Sequence, residues 1–161
     1  MQIKKARPLT KDDFIAYGDV IEFEGNDFFH INDGQCERYH NIAHVDVRNE
    51  QTPSISLVRS KPVQLPVVID MMERHPHASQ AFIPIHNRRF LVAVAKAGEE
   101  VDPNKIELFV TNGKQGVNYH AGVWHFPILA LDDITDMLVV DRAGSDNCDV
   151  IDLKEAFKLD V

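Results

Sequence analysis

The chain is poor in cysteine and in positive charge. Its 161 residues include only two cysteines, Cys36 and Cys148, which lie far apart and form no CxxC pair. Neither a disulfide framework nor a thiolate zinc site is indicated, and two free thiols are expected. Lys and Arg number 17 against 25 Asp and Glu, a formal charge of −8. This balance, without a basic cluster, argues against a nucleic-acid partner or an anionic membrane surface.

Long apolar segments are also missing. No run approaches the roughly 20 residues that a membrane span needs. The N-terminal stretch "MQIKKARPLTKDDF" has basic residues but no apolar region of the kind that a secretory signal carries. We therefore expect no membrane association and, by elimination, a cytoplasmic location. A hydrophobic content of 44% over this length is typical of one globular domain, residues 1–161.

The local patterns predict a mainly-β fold. Thr10 with Asp13 three residues later resembles a capping box and indicates one short helix. After it, short apolar segments punctuated by Gly and Pro at intervals of roughly 8–12 residues favour a sandwich or barrel. The dipeptides Asp33-Gly34 and Asn112-Gly113 indicate hairpin turns. The stretch "DLKEAF" near the C-terminus predicts a minor second helix.

Two segments concentrate unusual side chains. The first is "MMERHPHASQAFIP". Residues two apart in a strand share a face, so Glu73, His75 and His77 share a side if the strand continues. Pro76 removes a ladder donor, which lets His77 leave the strand. The second segment is "GVNYHAGVWHFP", with His120 and His125 in an apolar, turn-rich context. It indicates either half of an active site or a hairpin with two packed histidines.

The spacing within these segments resembles the two motifs of the cupin superfamily. Gly116-x5-Gly122-x2-His125 matches the second motif, whose final His is a metal ligand. The first motif is normally His-x-His-x4-Glu, and here it reads Glu73-x-His75-x4-Gln80. The resemblance implies a jelly-roll barrel around Glu73, His75, Gln80 and His125. This set suits Ni²⁺, Mn²⁺ or Zn²⁺, although an amide is a weaker ligand than a carboxylate. The alternative is a metal-free cup of polar side chains that binds substrate directly.

A more specific resemblance covers almost the whole chain. The stretches "YGDVIE", "FFHIN", "ERYH", "ERHP", "QAFIP", "TNGKQGVNYHAGVWHFP" and "DRAGSDNCDV" are similar to the ureidoglycolate lyase family. The resemblance implies a cupin-like barrel, commonly a homodimer, that splits (S)-ureidoglycolate into glyoxylate and urea. Such carbon–nitrogen lyases act in the last step of allantoin use as a nitrogen source.

That reaction requires a general base, a general acid and an anchor for a carboxylate. His125 and His75 are the candidates for base and acid, or metal ligands if an ion is bound. His120 is a second proton donor or a hairpin hydrogen-bond partner. Glu73 either orients an imidazole, acts as base, or forms a rim salt bridge with Arg74.

Other residues are candidates for holding the substrate. A guanidinium binds a carboxylate bidentately, which favours Arg59, then Arg142, then Arg38 as the anchor. Gln80, Asn118 and Ser56 are candidates to bind the urea amide, unless they satisfy backbone groups of the barrel. Trp124 is expected to pack at a barrel end or a subunit interface. Neighbouring acids make Cys148 a poor nucleophile.

Two other functions remain open. One is a metal-dependent cupin enzyme of another class, for which Glu73 and Gln80 are unusual ligands. The other is a non-enzymatic barrel that binds a small carboxylate, since one fold hosts many functions.

Overall fold

The computed structural model describes all residues, Met1–Val161. It contains helix α1 (Lys11–Phe14), a 3-10 turn (Pro103–Lys105) and fifteen strands. None of the helices has the length and apolarity to cross a bilayer. The strands are β1 (Ile3–Lys5), β2 (Arg7–Pro8), β3 (Gly18–Ile21), β4 (Phe29–Ile31), β5 (Cys36–Arg38), β6 (Pro53–Ser60), β7 (Val67–Arg74), β8 (Gln80–Pro84), β9 (Phe90–Ala95), β10 (Glu107–Val110), β11 (Gly116–Tyr119), β12 (Trp124–His125), β13 (Leu129–Ala130), β14 (Thr135–Arg142) and β15 (Asp149–Asp160).

Two sheets face each other across an apolar core. The larger has the order β1-β15-β7-β12-β9-β10-β2, with β13 beside β9, and the smaller has the order β3-β11-β8-β14-β6. Most pairs are antiparallel; β1 with β15 and β2 with β10 are parallel. Val117 and Met137 of the smaller sheet meet Val92 and Phe109 of the larger one in this core. The mainly-β, jelly-roll barrel predicted from the sequence is confirmed.

Strand β9 is buried on both faces. Its residues Phe90, Val92 and Val94 face the core between the sheets. Leu91 and Ala93 join a second apolar cluster on the other side of the larger sheet. A strand covered on both sides reads as a continuous apolar run, which explains the sequence "FLVAVA". Packing on both faces therefore holds the larger sheet in place and, with it, the residues on its inner face.

The short N-terminal helix is confirmed. The Thr10 hydroxyl accepts a hydrogen bond from the Asp13 backbone N–H at 3.2 Å. Phe14 is fully buried and packs against Phe109 and Tyr119. The helix gives way to strand β3 at Gly18, where a Cβ would lie 1.9 Å from a backbone oxygen of β11. Only glycine allows that close approach.

The predicted C-terminal helix is wrong. The residues of "DLKEAF" lie in the long strand β15, between β1 and β7. Phe157 and Leu159 alternate with partly exposed residues and bury their side chains in the second apolar cluster. Strand β7 pairs with β15 on both sides of a register shift between Asp152 and Phe157, and β1 pairs with the residues from Lys158 onward. This pairing and the buried face outweigh the weak helix preference of Leu, Lys, Glu and Ala.

One of the two predicted hairpins is also wrong. Asp33-Gly34 does join β4 to β5 in an antiparallel pair. Asn112-Gly113 instead links β10 of the larger sheet to β11 of the smaller one. Gly113 takes φ +91°, so the dipeptide does form a sharp turn. It changes sheets there instead of folding the chain back on itself.

Candidate active site

Side chains from both cupin-like segments converge at one end of the space between the sheets. One ligand atom from each of Glu73, His75 and His125 lies within 4.8 Å of the others. Glu73 and His125 are directly opposite each other on β7 and β12. Glu73 Oε1 lies 3.5 Å from His125 Nε2, and the two imidazole centroids are 5.2 Å apart. The convergence predicted from the sequence spacing is therefore present.

Both imidazoles direct the same nitrogen into this space. His75 Nδ1 is 2.6 Å from the Asn147 carbonyl oxygen, and His125 Nδ1 is 3.1 Å from the Val123 carbonyl oxygen. A carbonyl only accepts, so each Nδ1 carries the hydrogen and each Nε2 is left with a lone pair. Both Nε2 atoms are buried and have no hydrogen-bond partner. Two basic nitrogens are thus available beside a carboxylate.

The turn before His125 joins the two segments. Val123 N–H donates to the His120 carbonyl, which closes a four-residue turn, and Gly122 N–H donates to the His75 carbonyl at 2.9 Å. Gly122 has φ +80°, in the left-handed region that favours glycine. This glycine therefore fixes the position of His125 relative to His75.

The loop after β14 holds the other side of His75. Asn147 accepts from His75 through its backbone carbonyl and from the His77 backbone N–H through its side chain, at 2.7 Å. Arg142 donates to Asp146 at 2.8 Å, and this contact fixes the same loop. Asn147 has no signal in the sequence beyond its place in "SDNCD", because any residue can supply a backbone carbonyl.

The smaller sheet supplies the opposite wall. Gln80 and Tyr119 face each other across β8 and β11 and point to the same side. The Tyr119 ring stacks on His125, with centroids 4.2 Å apart and planes 7° apart. Gln80 Nε2 donates to the Asp141 carboxylate at 3.1 Å. Tyr119 and Asp141 were not among the residues predicted from the sequence.

The Glu73 carboxyl group is ionised at neutral pH and gives the site a negative charge. The close contact with the His125 imidazole lowers the pKa of the Glu73 carboxyl, against the opposing effect of burial, and His75 lowers it further. Burial, and then the Glu73 charge, raise the pKa of the Tyr119 phenol well above its ordinary value. Glu73 is therefore an anion and Tyr119 a neutral hydroxyl.

Two of the predicted residues lie outside this space. The alternation of β11 turns Asn118 to the face opposite Tyr119, where its amide donates to Asp19 and to the His44 carbonyl. His120 is half exposed, and its Nε2 lies 3.2 Å from the same Asp19 carboxylate. Both residues are neighbours of the active-site cluster in sequence but belong to a separate polar contact.

The three candidate arginines are separated from one another. Arg59, on edge strand β6, is largely exposed and forms a bidentate pair with Asp136. Ser56, on the same strand, is also exposed. Arg38 is exposed on β5. Arg142 alone is buried, donating to the Arg48 carbonyl as well as to Asp146.

Trp124 and Cys148 have structural surroundings. The Trp124 ring is buried, donates to the Gly98 carbonyl and lies under the Arg74 guanidinium. Arg74 pairs with Asp149 instead of Glu73, so the rim salt bridge considered for Glu73 is not formed. Burial, then Glu73, then Asp149 raise the pKa of the Cys148 thiol, as expected for a poor nucleophile.

The donor set fits a divalent cation. Two Nε2 lone pairs and one carboxylate oxygen share one small space, and both nitrogens lack any other partner. Imidazole and carboxylate ligands suit Ni²⁺, Mn²⁺ and Zn²⁺. Each imidazole is also oriented by an Nδ1–H bond to a carbonyl, as metal-bound histidines usually are. Gln80 Oε1, buried without a partner, is a fourth potential ligand.

Comparison with solved structures supports the fold. RmlC from Streptococcus suis, in complex with dTDP-D-xylose, superimposes with a TM-score of 0.50 at 12% identity, covering 90% of this chain and 73% of that one. At this identity the match concerns architecture alone, and it agrees with a cupin-like barrel.

Comparison with known sequences covers nearly the whole chain. A family model described as Ureidoglycolate lyase matches residues 1–160. Ureidoglycolate lyase of Escherichia coli strain K12 / DH10B is 49% identical over 148 residues, 92% of both chains. Ureidoglycolate lyase of Salmonella paratyphi B is 49% identical over 143 residues, 89% of both chains. This chain belongs to the ureidoglycolate lyase family.

Proposed function

We propose that the protein is a ureidoglycolate lyase, a carbon–nitrogen lyase that cleaves (S)-ureidoglycolate into glyoxylate and urea. The observation that carries the proposal is the pair of unpartnered Nε2 atoms of His75 and His125 beside the Glu73 carboxylate, in a chain of this family. The same proposal includes a place in allantoin degradation.

The reaction needs one proton removed and one proton returned. The reacting carbon of ureidoglycolate bears a carboxylate, a hydroxyl and the ureido nitrogen. As the hydroxyl loses its proton, its oxygen becomes the carbonyl of glyoxylate, the C–N bond breaks, and the urea nitrogen takes up a proton. Each such transfer by a positioned group contributes typically 10²–10⁴-fold to the rate.

The geometry distinguishes the two histidines. His125 Nε2 faces the Glu73 carboxylate at 3.5 Å, so a proton that this nitrogen takes up lies beside an anion. His125, in the form that carries hydrogen on both ring nitrogens, is therefore the proposed acid for the leaving urea nitrogen. His75 Nε2 has no carboxylate within hydrogen-bonding distance, and its lone pair is the proposed base for the hydroxyl. Stacking on Tyr119 fixes the ring plane of His125 during the transfer.

A divalent ion would be held by Glu73, His75 and His125, with Gln80 as a fourth potential ligand. Such an ion would supply Lewis-acid chemistry, lowering the pKa of the substrate hydroxyl and neutralising its carboxylate. Elemental analysis of protein purified without chelator, followed by turnover before and after EDTA treatment, distinguishes the metal-free acid–base site from a metal-bound site. A stoichiometric metal and loss of turnover would assign the histidines as ligands instead of proton carriers.

Arg142 is the proposed anchor for the substrate carboxylate among the three candidate arginines. Its guanidinium is buried, and its hydrogen bond to Asp146 places it against the loop whose Asn147 carbonyl contacts His75. Arg59 and Arg38 occupy exposed strands. A change of Arg142 to Lys should therefore raise KM for the substrate, because an ammonium group cannot bind a carboxylate bidentately.

We also propose that two copies associate through the outer face of the smaller sheet, in the cytoplasm. Edge strand β6 exposes Ile55 and Leu57 by 72% and 71%, and Ile85 lies nearby with half its surface exposed. Adjacent apolar residues on an unpaired edge are typical of an interaction site. Light scattering of Leu57→Asp should show monomer at concentrations where the original chain is a dimer. A variant that stays dimeric would remove this face from consideration.

A steady-state assay tests the activity. Purified protein is mixed with ureidoglycolate, and urea, glyoxylate and ammonia are measured separately. Urea and glyoxylate in equal amounts are expected. Ammonia released in step with glyoxylate would indicate an amidohydrolase instead of a lyase.

A further inference from the structure

Two polar atoms on the wall opposite His75 and His125 have no partner. Tyr119 Oη and Gln80 Oε1 are both buried and make no hydrogen bond. Tyr119 is only 1% exposed, so water does not satisfy its hydroxyl from outside. Buried polar groups are almost always paired, and an unpaired one costs stability. Two such atoms on directly paired residues therefore point to a ligand that would form hydrogen bonds with them.

Both atoms face the space that holds the histidines. Gln80 and Tyr119 are directly opposite in the β8–β11 pair, on the face that also presents Val117 and Phe82 to the core. The Tyr119 ring lies flat against His125. Both side chains therefore lie on the face of the smaller sheet that is turned toward His125. A ligand reacting at the histidines would contact this wall.

The hydrogen-bonding role of each atom is fixed. The Asp141 carboxylate accepts a hydrogen bond from Gln80 Nε2 at 3.1 Å. A carboxylate only accepts, so the amide cannot turn over and Oε1 is the end that faces inward. The Tyr119 hydroxyl is neutral, and its hydrogen is free to donate. The smaller sheet therefore presents one acceptor, Gln80 Oε1, and one donor, the Tyr119 hydroxyl, on two paired residues.

We propose that Tyr119 and Gln80 form the subsite for the ureido group of the substrate, with Asp141 as the positioning residue that sets the Gln80 amide. Tyr119 O–H donates to the ureido carbonyl oxygen, and Gln80 Oε1 accepts from the terminal NH₂. This assignment rests on the proposed function. The substrate carboxylate has no hydrogen to donate to Gln80 Oε1. The ureido end of the substrate, and not its carboxylate end, therefore faces the smaller sheet.

The Tyr119 bond also assists the reaction. When the C–N bond breaks, electron density moves onto the leaving urea, including its carbonyl oxygen. A donor aimed at that oxygen binds more strongly in the transition state than in the ground state. Loss of the hydroxyl should therefore lower kcat as well as weaken binding.

The test measures direct binding of two probes that are not turned over. N-carbamoylglycine keeps the carboxylate and the ureido group but lacks the hydroxyl, whereas glycolate lacks the ureido group. Tyr119→Phe should weaken binding of N-carbamoylglycine about tenfold, the loss of one hydrogen bond, and leave glycolate unchanged. Its Tm should stay equal or rise, because an unpaired buried hydroxyl is removed. Tyr39→Phe, which changes a partly exposed tyrosine that donates to Glu37 away from the cluster, is the control.

A second pair of variants tests Asp141. In Asp141→Asn the amide of Gln80 is free to turn and present its NH₂, so binding of N-carbamoylglycine should weaken about tenfold. Adding Gln80→Glu restores an acceptor facing inward and the original net charge, so binding should recover. A structural role for Asp141 predicts no such recovery.

The outcomes separate this proposal from the lyase assignment. Equal weakening of both probes, unchanged binding of N-carbamoylglycine, or no binding of it to the original protein would overturn the subsite. Original protein that binds N-carbamoylglycine through Tyr119 but releases no urea would overturn the lyase assignment and leave the subsite intact.

Discussion

Replacing Glu73 by Gln should reduce activity without reducing stability. The carboxylate oxygen lies 3.5 Å from His125 Nε2. Coulomb's law at that distance, with an effective dielectric constant of about 20, gives about 5 kcal/mol for a charged pair. The Glu73 side chain is 24% exposed and an amide keeps a dipole, so we expect a loss of about 2 kcal/mol. This corresponds to about 30-fold in kcat, because the variant lacks the negative charge that faces the proton-donating nitrogen of His125.

The stability should change in the opposite sense. When His125 is neutral, the Glu73 carboxylate faces the lone pair of His125 Nε2, so two acceptors oppose each other with no hydrogen between them. An amide in Glu73→Gln can donate to His125 Nε2, so the Tm should be equal or higher. The assay is kcat from urea release together with thermal unfolding by circular dichroism. The exposed change Glu155→Gln is the control. A kcat within twofold of the original would refute the role of Glu73, and a large fall in Tm would show that its role is structural.

Three further predictions follow from named contacts. His120→Ala should keep kcat within about threefold, because His120 contacts Asp19 outside the cluster. A hundredfold loss of kcat in a steady-state assay would instead show that His120 takes part in the reaction. Asp146→Asn should destabilise the protein at neutral pH, because the hydrogen bond with Arg142 lowers the pKa of Asp146 below its ordinary 3.8. This contribution is present above pH 3.8 and is lost as the pH falls through the lowered pKa, so urea unfolding of variant and original should converge in acid. Phe14→Ala should lower the free energy of unfolding, measured with urea, by about 3–5 kcal/mol, because the ring is fully buried. A loss of less than about 1 kcal/mol would mean that α1 contributes little to the core.

The sequence was sufficient to locate the two segments whose side chains converge in the candidate site. The motif spacing marked Glu73, His75 and His125, although β7 ends at Arg74 and His75 is held beyond the strand by the turn at Gly122 and by Asn147. Strand alternation could have separated Asn118 from Tyr119, since adjacent residues of a strand point to opposite faces. Asn118 was instead grouped with the site because it lies in the same motif.

The opposite wall could not be predicted in the same way. Tyr119 alternates with Val117, which is typical of a core residue, and only the absence of a partner for its hydroxyl distinguishes it. Asp141 on β14 contacts Gln80 on the neighbouring strand β8, so its role depends on a strand register that composition does not reveal. The helical composition near the C-terminus was misleading for a related reason: β1 and β7 provide partners on both edges of β15.

The most direct test of the central claim, that His75 and His125 move protons beside Glu73, is the turnover of His125→Ala. Urea and glyoxylate are measured at saturating substrate, with circular dichroism as the check on folding. We expect kcat to fall at least about tenfold while the spectrum is unchanged. A folded variant with the original kcat would contradict the account.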